Sequence, residues 1–245
     1  MSAGEPARLT PPQRRLRELQ QADYSHLPLS AATEVSVDRV RRAAEAVYGE
    51  RWNFYSNALR REVVHVFERA LDLLAAAGRP LAYLEIGSCQ GLSMSLVGEL
   101  ARNRDVLGRL VSIDPYFEGG YVEGAASPWG VESTIRIDKT TRDGALELYR
   151  SLALEVELLE ETSTAGLKRL VRADDTFDLI YVDGSHEGLL PFSDTGLAVA
   201  LLAPGGVVVL DDHHWPDVKQ VKEICDRHCR HVGESWKLVA YRPDG

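Results

Sequence analysis

The 245-residue chain is long enough to bury one good core, and its formal charge of −9, from 37 acidic against 28 basic residues, argues against a phosphate-coated nucleic acid as partner and for a small molecule. Its three cysteines, Cys89, Cys225 and Cys229, are too few for a disulfide framework, no apolar run approaches membrane-spanning length, and the first residues lack the apolar core of a secretory signal. These features predict a cytoplasmic protein with neither membrane nor nucleic-acid partner.

Residues 1–22 are rich in Pro, Arg, Gln and Glu and are expected to be mobile apart from a short helix after Pro11 and Pro12. Val37, Val40, Ala44 and Val47 then fall on one helical face closed by Gly49, and Leu59 to Leu74 mark a longer helix closed by Gly78. Between them the aromatics of residues 51–56 are expected to pack the extension onto the domain. From Leu81 strands and helices alternate, the pattern of a mostly parallel sheet wrapped by helices. Strands are predicted at 81–86, 110–114, 156–159, 177–183, 206–211 and 236–241, and helices at 92–102, 141–152, 164–172, 191–202 and 216–228. The expected division is a helical extension over 1–78 and an α/β domain over 79–245. The one oversized connection, 115–139, carries aromatics and glycines and reads as a substrate lid.

The first of those strands, ending in Glu85-Ile86-Gly87-Ser88-Cys89-Gln90-Gly91, turns through two glycines into a helix, so its loop is the expected ligand cradle. Its spacing lacks the second glycine that admits a pyrophosphate, and Glu85 stands where a dinucleotide-binding strand carries an apolar residue. A carboxylate there seeks a cation, and S-adenosylmethionine has an ammonium and a sulfonium but no phosphate. A purely structural turn, with Glu85 paired to Lys or Arg, explains this stretch equally well.

Several strands end in acids. Asp114 follows Gly91 by 23 positions, about where an acid grips ribose hydroxyls in nucleotide-binding α/β folds. Asp183, followed by Gly184-Ser185-His186, and Asp211-Asp212, followed by His213-His214, end the fourth and fifth strands. If those strands are neighbours their ends lie about 5 Å apart, and three converging carboxylates need either a shared proton or a bound cation. Oxygen donors favour a hard divalent ion such as Mg²⁺, with Mn²⁺ or Ca²⁺ as alternatives. A capping role for Asp211 or Asp212 accounts for one acid better than for three. Cys225 and Cys229, one turn apart on a predicted helix, read as packing rather than zinc ligands.

Together Glu85 to Gly91, Asp114, Tyr181 to His186, and Pro204-Gly205-Gly206 to Asp211-Asp212 resemble the class I S-adenosylmethionine-dependent methyltransferases. Within these they are similar to the cation-dependent small-molecule O-methyltransferases of the macrocin-type sugar group and, more distantly, the caffeoyl-CoA type. The resemblance covers about residues 81–212. It implies a Rossmann-like, doubly wound, seven-stranded sheet with an antiparallel C-terminal strand at 236–241. It implies a cofactor touching Glu85, Gly87, Ser88, Gly91, Ser93 and Asp114, with Asp183 nearby and adenine beside Glu161, Thr162 and Ser163. It also implies metal ligands at Asp183, Asp211 and Asp212 and a base at His186, with His213 in reserve. The expected reaction is methyl transfer to a hydroxylated small molecule, a saccharide or glycosylated metabolite in preference to a catechol. A nicotinamide-dependent oxidoreductase and a non-catalytic cofactor-binding protein are the rival readings. The acceptor and the oligomeric state, a homo-oligomer included, stay open.

Overall fold

The computed structural model describes residues 11–49, 57–122 and 136–244; the expectations for the extreme N-terminus, for the aromatics of 51–56 and for the middle of the 115–139 connection lie outside them. Three helices precede the sheet: α1 (Pro11–Gln21), α2 (Ala31–Tyr48) and α3 (Arg61–Ala75). Ser30 starts α2 by accepting from the Thr33 N–H at 3.2 Å, and Gly49, at φ +58°, ends it where an L side chain would be strained. Then follow β1 (Leu81–Ile86), α4 (Leu92–Arg102), β2 (Leu107–Ile113), the short β3 (Tyr121–Val122) and β4 (Arg136–Ile137), α5 (Lys139–Ser151), β5 (Val156–Leu159) and α6 (Ser163–Arg172). The chain closes with β6 (Phe177–Val182), α7 (Leu190–Ala200), β7 (Leu202–Leu210), α8 (Pro216–His228), β8 (Cys229–Glu234) and β9 (Val239–Pro243).

Seven strands form one sheet in the order β5-β2-β1-β6-β7-β9-β8, all parallel up to β7, with β9 running antiparallel to both its neighbours. Alternation along the strands sorts their side chains onto two faces. Tyr83, Leu110, Leu179, Tyr181 and Val209 join a core completed by residues of α2, α3, α4 and α5. Leu84, Ile86, Val111, Ile180 and Val208 join a second core completed by residues of α6, α7 and α8. The sheet is thus wrapped on both faces, as the alternation of elements predicts, and the extension helices α2 and α3 share the first core.

The extension also holds two polar points. Tyr48 Oη donates to the Gln90 carbonyl at 2.8 Å, beneath the glycine loop, and Trp236 Nε1 donates to Glu62 Oε1 at 2.7 Å, tying the β8–β9 turn to α3. His65 Nδ1 meets the Pro28 carbonyl at 3.0 Å, in keeping with a structural role.

The structure differs from the sequence reading at several points, β2 and β7 among them, which begin at Leu107 and Leu202 rather than at 110 and 206. The last strand begins at Val239 rather than 236, because Ser235 and Leu238 close a turn, with the Ser235 N–H donating to the Leu238 carbonyl at 2.7 Å. Strand β8 went unseen because it is a polar edge, CRHVGE, with little alternation to read. Cys229 therefore opens this strand, while Cys225 is buried in the last turn of α8. Within the 115–139 connection, β3 and β4 pair as an antiparallel ribbon, Tyr121 opposite Ile137. No described helix is long and apolar enough to cross a membrane.

Candidate active site

The registers align Ile86 with Ile113 and Val182, and Val182 with Leu210, so β2, β1, β6 and β7 end together and their following loops face one cleft. A cavity of about 560 Å³ opens there, lined by Gly87, Asp114, Thr162, Ser163, Asp183 and His186 among others. Residues chosen from four separate stretches of sequence meet in it.

On the β1–β2 side the backbone is packed too closely for side chains. A Cβ on Gly87 would lie 2.0 Å from the Asp183 carbonyl oxygen, and one on Gly91, at φ +74°, would lie 2.5 Å from the Tyr149 hydroxyl. Glu85 is fully buried below this loop. It accepts from Tyr83 Oη at 2.6 Å and Ser93 Oγ at 3.0 Å. No Lys or Arg among the described residues pairs with it, which removes the structural ion pair from consideration. Burial raises its carboxyl to about 8, against the lowering effect of the hydroxyls. Ser88 Oγ bonds Ser112 Oγ. Ser88, Gly91 and Ser93 thus support the loop from below, while Gly87 reaches the cavity wall.

Asp114 is held by the loops it joins: it accepts from the Cys89 N–H at 3.0 Å, the Tyr116 N–H at 3.2 Å and Tyr121 Oη at 3.3 Å. Burial raises its carboxyl although these donors favour the charged form. After β5, Thr162 caps α6 through the Ala165 N–H and Ser163 faces the cavity, whereas Glu161 is occupied by Arg169 at 2.9 Å.

The acid cluster lies on the β6–β7 side. His186 Nε2 is 3.5 Å from Asp183 Oδ1 and 3.7 Å from Asp212 Oδ2, and its ring packs on Trp215 with centroids 5.2 Å apart. Asp211 is buried. Its Oδ2 is bonded by Lys237 Nζ, which also lies 3.3 Å from Asp212 Oδ1. Burial pushes Asp211 up, but the Lys237 ammonium outweighs it and holds the carboxyl well below the usual range. Desolvation likewise disfavours the Lys237 charge, and Asp211, Asp212 and Asp183 keep it protonated far above its ordinary value.

This arrangement differs from the expected three-acid ligand set. The ligand atoms that converge within 4.8 Å of one another belong to Asp183, His186 and Asp211, while Asp212, in a left-handed conformation at φ +45°, turns toward Lys237. Two of these atoms, Asp211 Oδ1 and His186 Nε2, are buried without a hydrogen-bond partner among the described residues, so the group keeps one lone pair open to a cation and one open to a proton. His213 is not brought to the cavity. Its Nε2 meets the Ser235 carbonyl at 2.8 Å and Glu234 at 3.7 Å, on the β8–β9 turn.

Sequence reading missed Lys237, Trp215 and Asp194. The antiparallel register, Leu210 opposite Val239, carries the residues just before Val239 alongside Asp211 and Asp212; a correct start for β9 would have pointed to Lys237. Asp194 is buried on α7, where Ser193 Oγ donates to it at 3.5 Å and burial raises its carboxyl to about 6. Nothing in the spacing of that helix marks it.

A parallel sheet whose strand-end loops enclose a small-molecule cavity, with a glycine loop on one side and acids on the other, defines an α/β enzyme of the nucleotide-cofactor kind. The chain belongs to the methyltransferase-domain family, whose model matches residues 84–213, just over half of its length; it is a methyltransferase. That match ends the oxidoreductase and non-catalytic readings. Among solved structures it is similar to the O-methyltransferase TomG from Streptomyces achromogenes, involved in tomaymycin synthesis and in complex with SAM. Identity is 18%, TM-score 0.50, and 95% of this chain and 99% of that one are covered. An O-methyltransferase from Bacillus cereus in complex with SAH shows 14% identity and a TM-score of 0.53 over 92% and 97% of the two chains. The calicheamicin methyltransferase CalS11 shows 15% identity and a TM-score of 0.50 over 91% and 98%. At these identities the likeness is one of fold. No curated protein matches the chain.

Proposed function

We propose that this methyltransferase moves the methyl group of S-adenosylmethionine to a hydroxyl of a small molecule, a saccharide or glycosylated metabolite in the manner of the macrocin-type group. The observation that carries the proposal is the two-sided cavity: a glycine loop with Asp114, Thr162 and Ser163 on one wall, Asp183 and His186 on the other. In this reading the first wall takes the cofactor, Asp114 accepting from the ribose hydroxyls and Glu85 answering the cofactor's positive charge from below the loop. The second wall takes the acceptor.

An alcohol is a weak nucleophile near neutral pH, so it needs a positioned base and a lowered pKa. His186 Nε2, buried without a hydrogen-bond partner among the described residues, is suited to take the hydroxyl proton. Asp183 and Asp211 would hold a divalent cation, Mg²⁺ by its preference for oxygen donors, which when bound acidifies the acceptor hydroxyl. Asp212 and Lys237 complete the charge around them. A glycosylated acceptor rather than a free sugar is supported by the cavity mouth, where Phe117, Val122 and Leu190 line the cavity and are exposed; a sugar alone would leave such a rim unused. The calicheamicin methyltransferase among the similar folds is compatible with such an acceptor.

The test is transfer of a labelled methyl group from S-adenosylmethionine to a panel of glycosides and catechols, by wild type, Asp183→Asn and His186→Ala, before and after chelation and Mg²⁺ rescue. Loss of turnover on chelation with recovery by Mg²⁺, and a drop of roughly 10²–10⁴-fold in His186→Ala, are expected. Full activity after rigorous metal removal would sink the cation, and near-normal turnover of His186→Ala would sink the base.

A further inference from the structure

The acid cluster already contains a positive charge of the protein's own. Lys237 enters from the β8–β9 turn, where its N–H donates to Ser235 Oγ at 3.3 Å and the neighbouring Trp236 is fastened to Glu62. The backbone that carries the lysine is thereby held against Leu210–Asp212, and its ammonium lies between Asp211 Oδ2 and Asp212 Oδ1. Its side chain is 15% exposed and Asp211's not at all, so this is an ion pair shielded from bulk water. The two carboxylates it engages are ones that the sequence assigns to a metal.

Asp211 is divided between two duties. Oδ2 belongs to Lys237, whereas Oδ1 has no hydrogen-bond partner among the described residues and converges with His186 and Asp183. We infer that Lys237 is a resident counter-ion that occupies half of the acid cluster and so sets how strongly the other half takes a divalent cation. The inference rests on the reading of Asp183 and Asp211 as cation ligands. Two consequences follow from charge alone. The ammonium repels an incoming ion at close range, where the surrounding medium screens little, and it removes Asp211 Oδ2 and Asp212 Oδ1 from the available donors. Lys237 is thus a positioning residue that weakens and orients cation binding, in keeping with an ion that exchanges rather than one permanently built in. Its hold on Asp212 also explains why that residue turns out of the converging group.

The experiment measures Mn²⁺ binding to the full chain by the electron paramagnetic resonance signal of free Mn²⁺, in wild type, Lys237→Gln, Lys237→Arg and the double variant Asp211→Asn/Lys237→Gln. Glutamine keeps a hydrogen-bond donor toward Asp211 while removing the charge. It is expected to bind Mn²⁺ at least tenfold more tightly than wild type, with Lys237→Arg close to wild type and the double variant losing the gain. Thermal unfolding accompanies each titration: if Lys237→Gln folds only with Mn²⁺ present, the ion is replacing the lost ammonium, which supports the inference. If Lys237→Gln stays unfolded with and without Mn²⁺, Lys237→Met, which leaves the cluster a similar volume without the charge, takes its place with the same expectation; failure of both to fold with Mn²⁺ overturns the inference, because the ion then cannot substitute for the ammonium. Equal or weaker binding by the uncharged variant also overturns it. Binding by Lys237→Gln but not by wild type upholds the role of Lys237 and removes the divalent ion from the native reaction. Binding by neither variant nor wild type overturns both.

Discussion

Glu85 makes the sharpest test of the cofactor reading, because its carboxyl is sealed under the glycine loop with two hydroxyl donors and, among the described residues, no cation. Its folded-state value of about 8 stands above the ordinary 4.5. The native state therefore binds the extra proton, and the stability contributed by the protonated form is complete below about 4.5 and is lost as pH rises through about 8. At 1.36 kcal/mol for each unit between those values the loss is roughly 4–5 kcal/mol. Glu85→Gln removes this slope, so the difference in unfolding free energy between variant and wild type should widen in favour of the variant from pH 5 to 8.5, by several kcal/mol. Urea denaturation across that range measures it, and taking the difference cancels Asp194 and the other groups that titrate in both proteins. Binding supplies the second half. If the cofactor's positive charge acts on Glu85, S-adenosylmethionine should bind with proton release at pH 7, seen as a buffer-dependent calorimetric enthalpy, and Glu85→Gln should abolish that release. A stability difference that does not change with pH would refute the buried, protonated carboxyl, and proton-neutral binding would refute its role toward the cofactor.

Asp114→Ala should weaken S-adenosylmethionine binding by about 1.5–3 kcal/mol, roughly ten- to hundredfold in Kd by calorimetry, with Asp114→Asn less affected. Gly87→Ala should destabilise the protein by about 3 kcal/mol in chemical denaturation, since a Cβ 2.0 Å from the Asp183 carbonyl forces two strand ends apart; a neutral effect would mean that the loop relaxes freely. Trp236→Phe should cost about 0.5–1.5 kcal/mol of stability by removing one of the two donors to Glu62 Oε1, which keeps its bond from Arg60 Nε. Leu190→Asp at the exposed mouth should raise KM for an acceptor with an apolar body while leaving cofactor affinity unchanged, and an unchanged KM would place the acceptor elsewhere.

The sheet was legible because its strands are apolar runs ending in acids. Leu81–Ile86 and Val156–Leu159 were bounded to the residue, whereas the last parallel strand begins at Leu202, with Pro204-Gly205 inside it, rather than at 206. The wall-forming residues Gly87, Asp114, Thr162, Ser163, Asp183 and His186 were legible for the same reason: parallel strands deliver their carboxyl ends to one side, so residues just past them must meet. Lys237 was not. Its place depends on the pairing of two antiparallel segments across a turn, and one polar edge strand carries no hydrophobic period from which to read a register. The fate of Glu161 was equally hidden, since only the helix that follows brings Arg169 back to it.

The hydrogen bonds from Tyr48 to the Gln90 carbonyl and from Trp236 to Glu62 give helices α2 and α3 a role that sequence similarity cannot assign. The recognisable stretch, 84–213, begins and ends inside a structure whose glycine loop is braced from one helix of the extension and whose lysine-bearing turn is pinned to another. Excised as an independent module, that stretch would retain its motifs and lose both struts, together with β8, β9 and Lys237. Boundaries drawn for engineering, whether for a fusion or a loop graft, therefore belong outside α2 and β9 rather than at the edges of the recognisable motifs.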